Sequence, residues 1–408
     1  MRKIYLKLVG VFNSSNNTVL AALMILVIML SGCSNELDDL IVPGSKNETT
    51  TSVIRSKVSK TDAIAIAEKV LKKDRTRSGI LNIPKFEYVV GGINTRSAST
   101  SDTLAYILNY PDNGGFVIVS TDRRVYPVLA FAHEGQFTLD NENARVNFID
   151  RIGTYIEETP EDTLYDVGDS DFKTCYDIHP IVGYSLDQRA PWDKYVIQEH
   201  PGCPVGCVAV ATALVMSYSK SQISYHNSLY YLKSIITAIN KGPDSTPANL
   251  PKRIEGGIYN PTYTYEQAVD SMARLLYWIG KDVDMSYGSK GSGAKSEDAY
   301  ELCKSLSYSI PSGYVTTFDI KKVAQYIIDN HIIYIGGNDI NGGGGHAWVI
   351  DGCYCCLNED RTEIVDPYIH CDWGTGGYCN GYYSGAVFAM DKYNFKPTEY
   401  FAVKREWN

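Results

Sequence analysis

The pattern of apolar and polar positions predicts a small α+β domain in the first half of the chain. Four apolar residues spaced i, i+3, i+4 and i+7 predict an amphipathic helix: Ala63, Ile66, Ala67 and Val70. Runs of β-forming residues follow at 104–109, 116–120 and 125–131, and Asp-Asn-Gly-Gly at 112–115 predicts a hairpin turn between the first two. One helix followed by antiparallel strands is typical of a small α+β domain.

The second half predicts a larger region that mixes helices and strands. A helix is expected after Cys207, and others at about 265–279 and 320–330. Thr264 and Gln267 have the spacing of a capping box at the start of the second of these helices. Strand-like runs lie at 332–335, 347–352 and 382–390.

The N-terminus predicts export. Three basic residues precede an apolar run at 19–30 that ends in Leu-Ser-Gly-Cys at Cys33. The run is shorter than the roughly 20 residues that span a bilayer and is typical of a signal-peptide core. Its end resembles a bacterial lipobox, which implies cleavage before Cys33 and a diacylglycerol on its thiol. An ordinary signal peptide with a chance cysteine is the alternative.

Acidic residues just after Cys33 resemble surface-export signals of some Gram-negative lipoproteins. We therefore expect a surface-exposed outer-membrane lipoprotein of the bacterial cell envelope.

These patterns divide the chain into five parts. An acidic stretch at 157–171 separates the two folded regions and is a candidate boundary and cleavage zone. The predicted parts are a lipoprotein signal peptide (1–32), a polar tether (33–58), a first folded domain (59–160), a linker and processing region (161–179) and a second folded domain (180–408).

Charge and cysteine content limit the partners and cofactors. The net charge of −9 without a basic run argues against nucleic acid. Eight cysteines besides Cys33 and Cys207 permit disulfides in an exported chain, but their pairing stays open. A group that could suggest zinc has no regular ligand spacing, so we expect neither a metal nor another cofactor. Its members are Cys353, Cys355, Cys356, His370, Cys371 and Cys379.

Two residues carry the candidate chemistry of the second region. Cys207 stands at the start of a predicted helix, where the helix dipole lowers the pKa of a thiol. Taken alone, such a cysteine is more often a small core residue. His346, however, follows a run of four glycines at 342–345 and opens a predicted strand. Glycines permit the close approach of a ligand, and the separation of 139 residues lies in the range of papain-like Cys and His pairs.

Two further side chains complete the predicted site. Asp372 is expected to accept the second ring N–H of His346 and so to fix its tautomer, while Trp373 covers that bond from water. Gln188 precedes Cys207 by 19 residues, and its amide is expected to form an oxyanion hole with the Cys207 backbone N–H.

Several motifs resemble the streptopain family of papain-fold bacterial cysteine proteases. They are Gly-Cys-Val-Ala at Cys207, Gly-Gly-His-Ala at His346, the upstream Gln188, and two prodomain segments at 115–122 and 126–130. The resemblance covers about 60–400 and implies an α+β fold: a papain-like cysteine protease domain preceded by a small α+β prodomain that acts as an intramolecular inhibitor.

The same resemblance implies a substrate pocket and shows where this chain departs from the family. The family's glycine-rich loop lines the pocket for the substrate residue two positions before the cleaved bond. Gly345, Trp373 and Ile340 are therefore candidate substrate-binding residues, with Ile340 as the apolar wall. The family has Asn-Trp-Gly-Trp where this chain has Asp372-Trp373-Gly374-Thr375.

The sequence thus predicts a secreted, lipid-anchored zymogen of a cysteine endopeptidase that hydrolyses proteins or peptides through an acyl-enzyme. A cysteine amidase or transpeptidase of the same chemistry is one alternative. The other is a surface-binding lipoprotein whose protease fold is catalytically degenerate.

Overall fold

The computed structural model describes most of the two predicted folded regions. The described residues are 57–72, 83–92, 101–139, 142–160, 165, 174–183, 186–243, 253–255, 258–340, 342–358, 362–385, 387–390 and 393–406. They fall within one compact unit, Ile54–Asn408. The predicted signal peptide, Cys33 and most of the predicted processing region lie outside the described residues.

Helices and short strands surround a long antiparallel sheet. The helices of the described part are α1 (Lys60–Lys72), α2 (Glu142–Glu158), α3 (Val196–Glu199), α4 (Cys207–Ser219), α5 (Leu232–Lys241), α6 (Tyr265–Asp282), α7 (Ser296–Ser305) and α8 (Ile320–Ile328). The strands are β1 (Lys85–Gly92), β2 (Ser101–Asn109), β3 (Phe116–Ser120), β4 (Val128–Ala132), β5 (Thr174–Ile178), β6 (Ile223–Tyr225), β7 (Ser228–Tyr230), β8 (Arg253–Glu255), β9 (Ile258–Asn260), β10 (His331–Asp339), β11 (Gly345–Leu357), β12 (Ile364–Asp372), β13 (Gly381–Ser384), β14 (Ala389–Met390) and β15 (Tyr393–Lys404).

The first region is an antiparallel meander of β1 to β4 packed against α1. The predicted helix and its apolar face are confirmed, since Ala63, Ile66 and Ala67 are almost completely buried. The predicted hairpin is also confirmed: Asp112 and Asn113 take positive φ angles of 57° and 58° between β2 and β3. Asn and Asp tolerate that left-handed conformation better than most residues. The strand β1 and the helix α2 were not predicted from the sequence pattern.

One sheet runs through both regions. Its strand order is β1-β2-β3-β4-β13-β12-β11-β10-β15-β14, with β5 paired to β11. The junction is the antiparallel pair of β4 and β13, in which Tyr382 faces Phe131 and Tyr383 faces Ala130. The two regions also share a hydrophobic core, because Phe148 of α2 packs in the same cluster as Trp348. The two regions therefore share one sheet and one hydrophobic core and form a single folded unit.

The helices of the second region confirm the sequence pattern. α4, which begins at Cys207, is buried along nearly its whole length, as a helix of small and apolar residues requires. α6 begins with the predicted capping box, in which Thr264 accepts from the Gln267 amide and the Gln267 side chain accepts from the Thr264 amide. The helix predicted at 320–330 is α8, and Asp319 caps its first turn. No helix in the described part of the chain is both long and apolar enough to cross a membrane.

The strands are less well predicted. The run at 382–390 is not one strand but two, β13 and β14, because a turn closed by the Val387 N–H and the Ser384 carbonyl interrupts it. The long strand β15 was missed, and it contains Pro397, a residue that weakens a strand prediction. Pro397 faces Gly337 of β10 where the register shifts. This irregularity accommodates a residue without an N–H.

Candidate active site

Cys207 is the first residue of α4, and its position depends on the glycine before it. Gly206 has a φ angle of 96°, and a Cβ atom there would lie 2.7 Å from the sulfur of Met285. The approach to the helix is held by two hydrogen bonds. The Val205 N–H donates to the Gln188 carbonyl at 2.9 Å, and the Ser292 hydroxyl donates to the Pro204 carbonyl at 2.7 Å. The thiol therefore has a defined place at the head of a buried helix.

The thiol of Cys207 is neutral in this form of the protein. Burial raises the pKa of Cys207, and the backbone N–H groups of Ala347, Val208 and Cys207 itself offset only part of that rise. The N–H groups at the helix start therefore lower the pKa of the thiol, as predicted, but burial raises it by more. The prediction that the pKa of Cys207 is lowered is thus wrong in this form of the protein.

His346 is the second residue of β11 and is packed among aromatic rings. Its ring centroid lies 5.2 Å from that of Phe395, 6.0 Å from Trp348 and 6.2 Å from Trp373. Burial lowers the pKa of His346 to about 4, and a hydrogen bond to the Trp373 carbonyl offsets part of the effect. That bond joins Nε2 to the carbonyl oxygen at 2.9 Å. The ring is therefore neutral at physiological pH, with Nδ1 free to accept a proton.

Asp372 is not the acceptor of the second ring N–H of His346, which corrects the prediction. Its Oδ1 atom accepts from the Gly374 N–H at 2.9 Å, and the residue is 1% exposed at the end of β12. The acceptor for the His346 ring is the main-chain carbonyl of the next residue, Trp373. No sequence signal could have identified this group, because every residue carries a carbonyl.

Two pockets meet at Cys207 and His346. The first has a volume of about 640 Å³ and extends towards α7, the start of β11 and Glu399. The second has a volume of about 650 Å³ and extends past Gln188 towards the loop around Tyr378. Gly345 lines both pockets. The structure thus brings four of the predicted residues together: Cys207, His346, Gln188 and Gly345.

Two predicted substrate-binding residues lie elsewhere. Ile340 is 45% exposed and lines neither pocket. Trp373 is completely buried beneath His346, so that its contribution to the site is its carbonyl and not a surface for substrate. The apolar wall predicted at Ile340 is therefore absent from these pockets. Glu399, which lines the first pocket, was missed because its strand was not recognised.

The cysteine and histidine group that could suggest zinc does not converge on a metal site. His370 is bound to Asp351, with 2.6 Å between Nδ1 and Oδ1, and the other Asp351 oxygen accepts from the N–H groups of Ile181 and Val182. Within the part of the chain that the structure describes, no group of three or more His, Cys, Asp and Glu side chains could hold a metal ion. Among the cysteines whose side chains the structure describes, none forms a disulfide: Cys203, Cys207, Cys303, Cys353, Cys355, Cys356, Cys371 and Cys379.

Comparisons with known proteins match both regions. Residues 186–383 match the Peptidase C10 family, and residues 55–152 match the Spi protease inhibitor family. Streptopain of Streptococcus pyogenes is 28% identical over 317 residues, covering 68% of this chain and 73% of streptopain. The thiol protease/hemagglutinin PrtT of Porphyromonas gingivalis is 24% identical, and the match covers 70% of this chain and 34% of that protein.

A solved structure is also similar. A prointerpain A fragment of Prevotella intermedia aligns with a TM-score of 0.47 and 18% identity, over 78% of this chain and 98% of the fragment. The observed fold mixes helices and sheet in both regions, which confirms the predicted α+β class. The chain is therefore a cysteine peptidase homologous to streptopain, with a Peptidase C10 domain preceded by an inhibitory prodomain of the Spi type.

Proposed function

We propose that this zymogen matures to an endopeptidase in which Cys207 is the nucleophile and His346 the general base and acid. The observation that carries the proposal is that both side chains line the same two pockets. His346 presents Nδ1 as its basic atom because Nε2 is engaged by the Trp373 carbonyl.

The expected reaction is acyl transfer. Nδ1 of His346 takes the proton of the Cys207 thiol, and the thiolate attacks the carbonyl carbon of a peptide bond. The N–H of Cys207 and the side-chain amide of Gln188 stabilise the oxyanion. His346 then returns the proton to the leaving amine, the C–N bond breaks, and a thioester remains. Water, activated by His346, attacks the thioester and releases the acid and the thiol.

The resting state of the full chain opposes this reaction. A thiol with a raised pKa and an imidazole with a lowered pKa do not form an ion pair at neutral pH. In the described part of the chain, the thiol and the ring are not hydrogen-bonded to each other. Removal of the prodomain, whose β4 is paired to β13, is therefore expected to rearrange the His346 side of the site.

Labelling with a thiol-directed peptide probe tests the proposal. The probe should modify Cys207 after maturation, and Cys207→Ala should abolish both labelling and the release of fragments from a peptide. Cys203→Ala, which removes a buried cysteine near the helix start, is the matched control and should keep both. Mass spectrometry of the products separates hydrolysis from amidase or transpeptidase chemistry. Loss of Cys207 without loss of hydrolysis would refute the mechanism, and a matured protein that neither labels nor hydrolyses would indicate a degenerate protease fold.

We further propose that the protein is anchored to the bacterial outer membrane, at the cell surface, through a lipid on Cys33. The Leu-Ser-Gly-Cys sequence at the end of the apolar N-terminal run supports this proposal. Intact mass of membrane-extracted protein should show acyl chains and the loss of the residues before Cys33. A Cys33→Ala variant should lose membrane attachment, and protease treatment of whole cells should remove the wild-type protein. A variant as firmly bound as wild type would argue against lipidation.

A further inference from the structure

The pocket that extends from Cys207 towards α7 holds a carboxylate in a prepared position. Glu399 lies on β15 opposite Gly336 of β10. Its Oε2 atom accepts a hydrogen bond of 2.6 Å from the hydroxyl of Tyr314. A Cβ atom on Gly336 would lie 2.9 Å from Oε1 of Glu399 and 2.6 Å from the hydroxyl of Ser296. The glycine therefore leaves the space in which the carboxylate sits, and the tyrosine fixes its orientation.

The surroundings of Glu399 are negative. Burial is the main cause that raises the pKa of Tyr314, and the carboxylates of Glu399, Glu297 and Asp298 raise it further. All three carboxylates line the pocket, as does Asp284, while Lys295 contributes a single exposed ammonium group. In the described part of the chain, the polar partner of the Glu399 carboxylate is the neutral Tyr314 and not a basic side chain. Its charge is therefore available to a bound molecule.

The second pocket, on the other side of Cys207, is lined by more basic than acidic side chains. Its charged residues are Arg189, Lys290 and Asp187, and the Asp187 carboxylate accepts from the Arg189 backbone N–H. The negative character is thus confined to one arm of the groove. A peptide that crosses Cys207 must place side chains in both arms, because the nucleophile lies where they meet.

We propose that Glu399 is a specificity-determining residue and that the enzyme prefers substrates with lysine or arginine in the arm that Glu399 lines. The inference rests on the proposed function, since it concerns the peptide that Cys207 attacks. An ammonium or guanidinium group reaching into this arm would pair with Glu399 in a site partly shielded from water, where such a pair is stronger than in bulk solvent. An acidic side chain would meet like charges, which adds discrimination by repulsion.

Paired peptide substrates test this inference on the mature enzyme that forms from the full-length protein. Each pair carries lysine or norleucine at a single position, from three residues before to three after the cleaved bond. Norleucine keeps the unbranched stem of lysine and lacks its charge. At one position, the lysine peptide should be hydrolysed with a kcat/KM about tenfold higher than its norleucine partner, and Glu399→Gln should reduce that ratio to near one. The variant should lower kcat/KM for the norleucine peptide far less than for the lysine peptide, because norleucine offers no charge to the carboxylate.

Glu301→Gln is the matched control. Glu301 lies on α7, pairs with Lys304 and does not line the pocket, so this variant removes the same charge from outside the groove. It should keep the full preference for lysine. The inference is overturned if wild type shows no lysine preference at any position, or if Glu399→Gln retains it. Hydrolysis of the norleucine peptides, with titration of Cys207 by the thiol probe, reports the peptidase separately. A wild-type protein that hydrolyses no peptide would overturn the proposed function and this inference together.

Discussion

The Nε2 atom of His346 lies 2.9 Å from the main-chain carbonyl oxygen of Trp373. Because a carbonyl oxygen can only accept, neutral His346 carries its hydrogen at Nε2. The backbone of Trp373 is itself held from two sides: its N–H donates to Oδ1 of Asn380 at 3.0 Å, and its indole N–H donates to the Cys379 carbonyl at 3.0 Å. The orientation of the base thus depends on the turn that follows β12.

Asp372→Asn should leave the alkaline limb of the kcat/KM profile of the matured enzyme within about 0.3 pH units of wild type. The carboxylate does not bind the ring, and Asn can still offer an oxygen to the Gly374 N–H. Asp372→Ala, in contrast, leaves a buried N–H without its acceptor and should cost about 1–3 kcal/mol of stability in urea unfolding.

Asn380→Ala is the comparison for that experiment. It removes the acceptor of the Trp373 N–H and should lower kcat more than Asp372→Asn does, because the carbonyl that orients His346 is released. An alkaline limb displaced by about one pH unit in Asp372→Asn would show instead that the carboxylate charge acts on the imidazole.

The sequence could predict those parts of the site that depend on side-chain identity. Cys207, His346 and Gln188 are recognisable as residue types in characteristic local sequences, and the capping box at Thr264 follows from local hydrogen bonding. The role of the Trp373 carbonyl could not be predicted, because it depends on the path of the backbone between β12 and β13.

The missed strands have a related cause. β15 contains Pro397, which lies opposite a register shift in β10. A proline in the sequence is typical of an edge strand or a loop, whereas β15 lies inside the sheet, paired with β10. The joining of β4 to β13 brings together residues about 250 positions apart, and no local periodicity reports such a pairing.

The lowered pKa of His346 predicts how the stability of the full chain depends on pH. Its folded pKa of about 4 lies below the ordinary value of 6.5, so the unfolded state binds more protons between these values. Stability should therefore fall as the pH drops from about 6.5 to 4. Because the ring is only half-buried, we expect a contribution of about 1 kcal/mol between pH 7 and pH 5.

Urea unfolding of the Cys207→Ala protein, alone and combined with His346→Gln, measures this contribution. The Cys207→Ala background prevents self-processing, and the other titrating groups are common to both proteins. His346→Gln should reduce the loss of stability on acidification. Equal losses in the two proteins would show that His346 is not the group that resists protonation.

Phe131→Ala should accelerate maturation. Phe131 of β4 stacks on Tyr382 of β13 with ring centroids 4.9 Å apart and an interplanar angle of 10°, and the two residues are paired in the sheet. Truncation of this almost fully buried ring removes packing at the junction of prodomain and protease domain, on the scale of about 3–5 kcal/mol for a buried Phe. The full-length variant should react faster with the thiol probe and shorten sooner on gels.

Phe86→Ala controls for the loss of an aromatic ring from the prodomain. Phe86 lies on β1, at the far edge of the sheet, and contacts Tyr106 and Lys60 of the prodomain itself. It should mature at nearly the wild-type rate. If Phe131→Ala also matures at that rate, the stacked pair does not hold the prodomain in place.

Gly206→Ala should impair the active site while leaving the catalytic side chains intact. A side chain at this φ of 96° is strained, and its Cβ would meet the Met285 sulfur at 2.7 Å. The strain should lower the free energy of unfolding by about 1–3 kcal/mol. It should also displace Cys207 from the head of α4, which lowers kcat/KM because the thiol is no longer aligned with the substrate.

Gly291→Ala is the matched control, because Gly291 lines the second pocket but a Cβ there meets no atom within 4 Å. The rate of probe labelling and the urea midpoint of each variant show whether the conformation of Gly206 positions Cys207. If Gly206→Ala labels as fast as Gly291→Ala and unfolds at the same urea concentration, the conformation of Gly206 does not position the nucleophile.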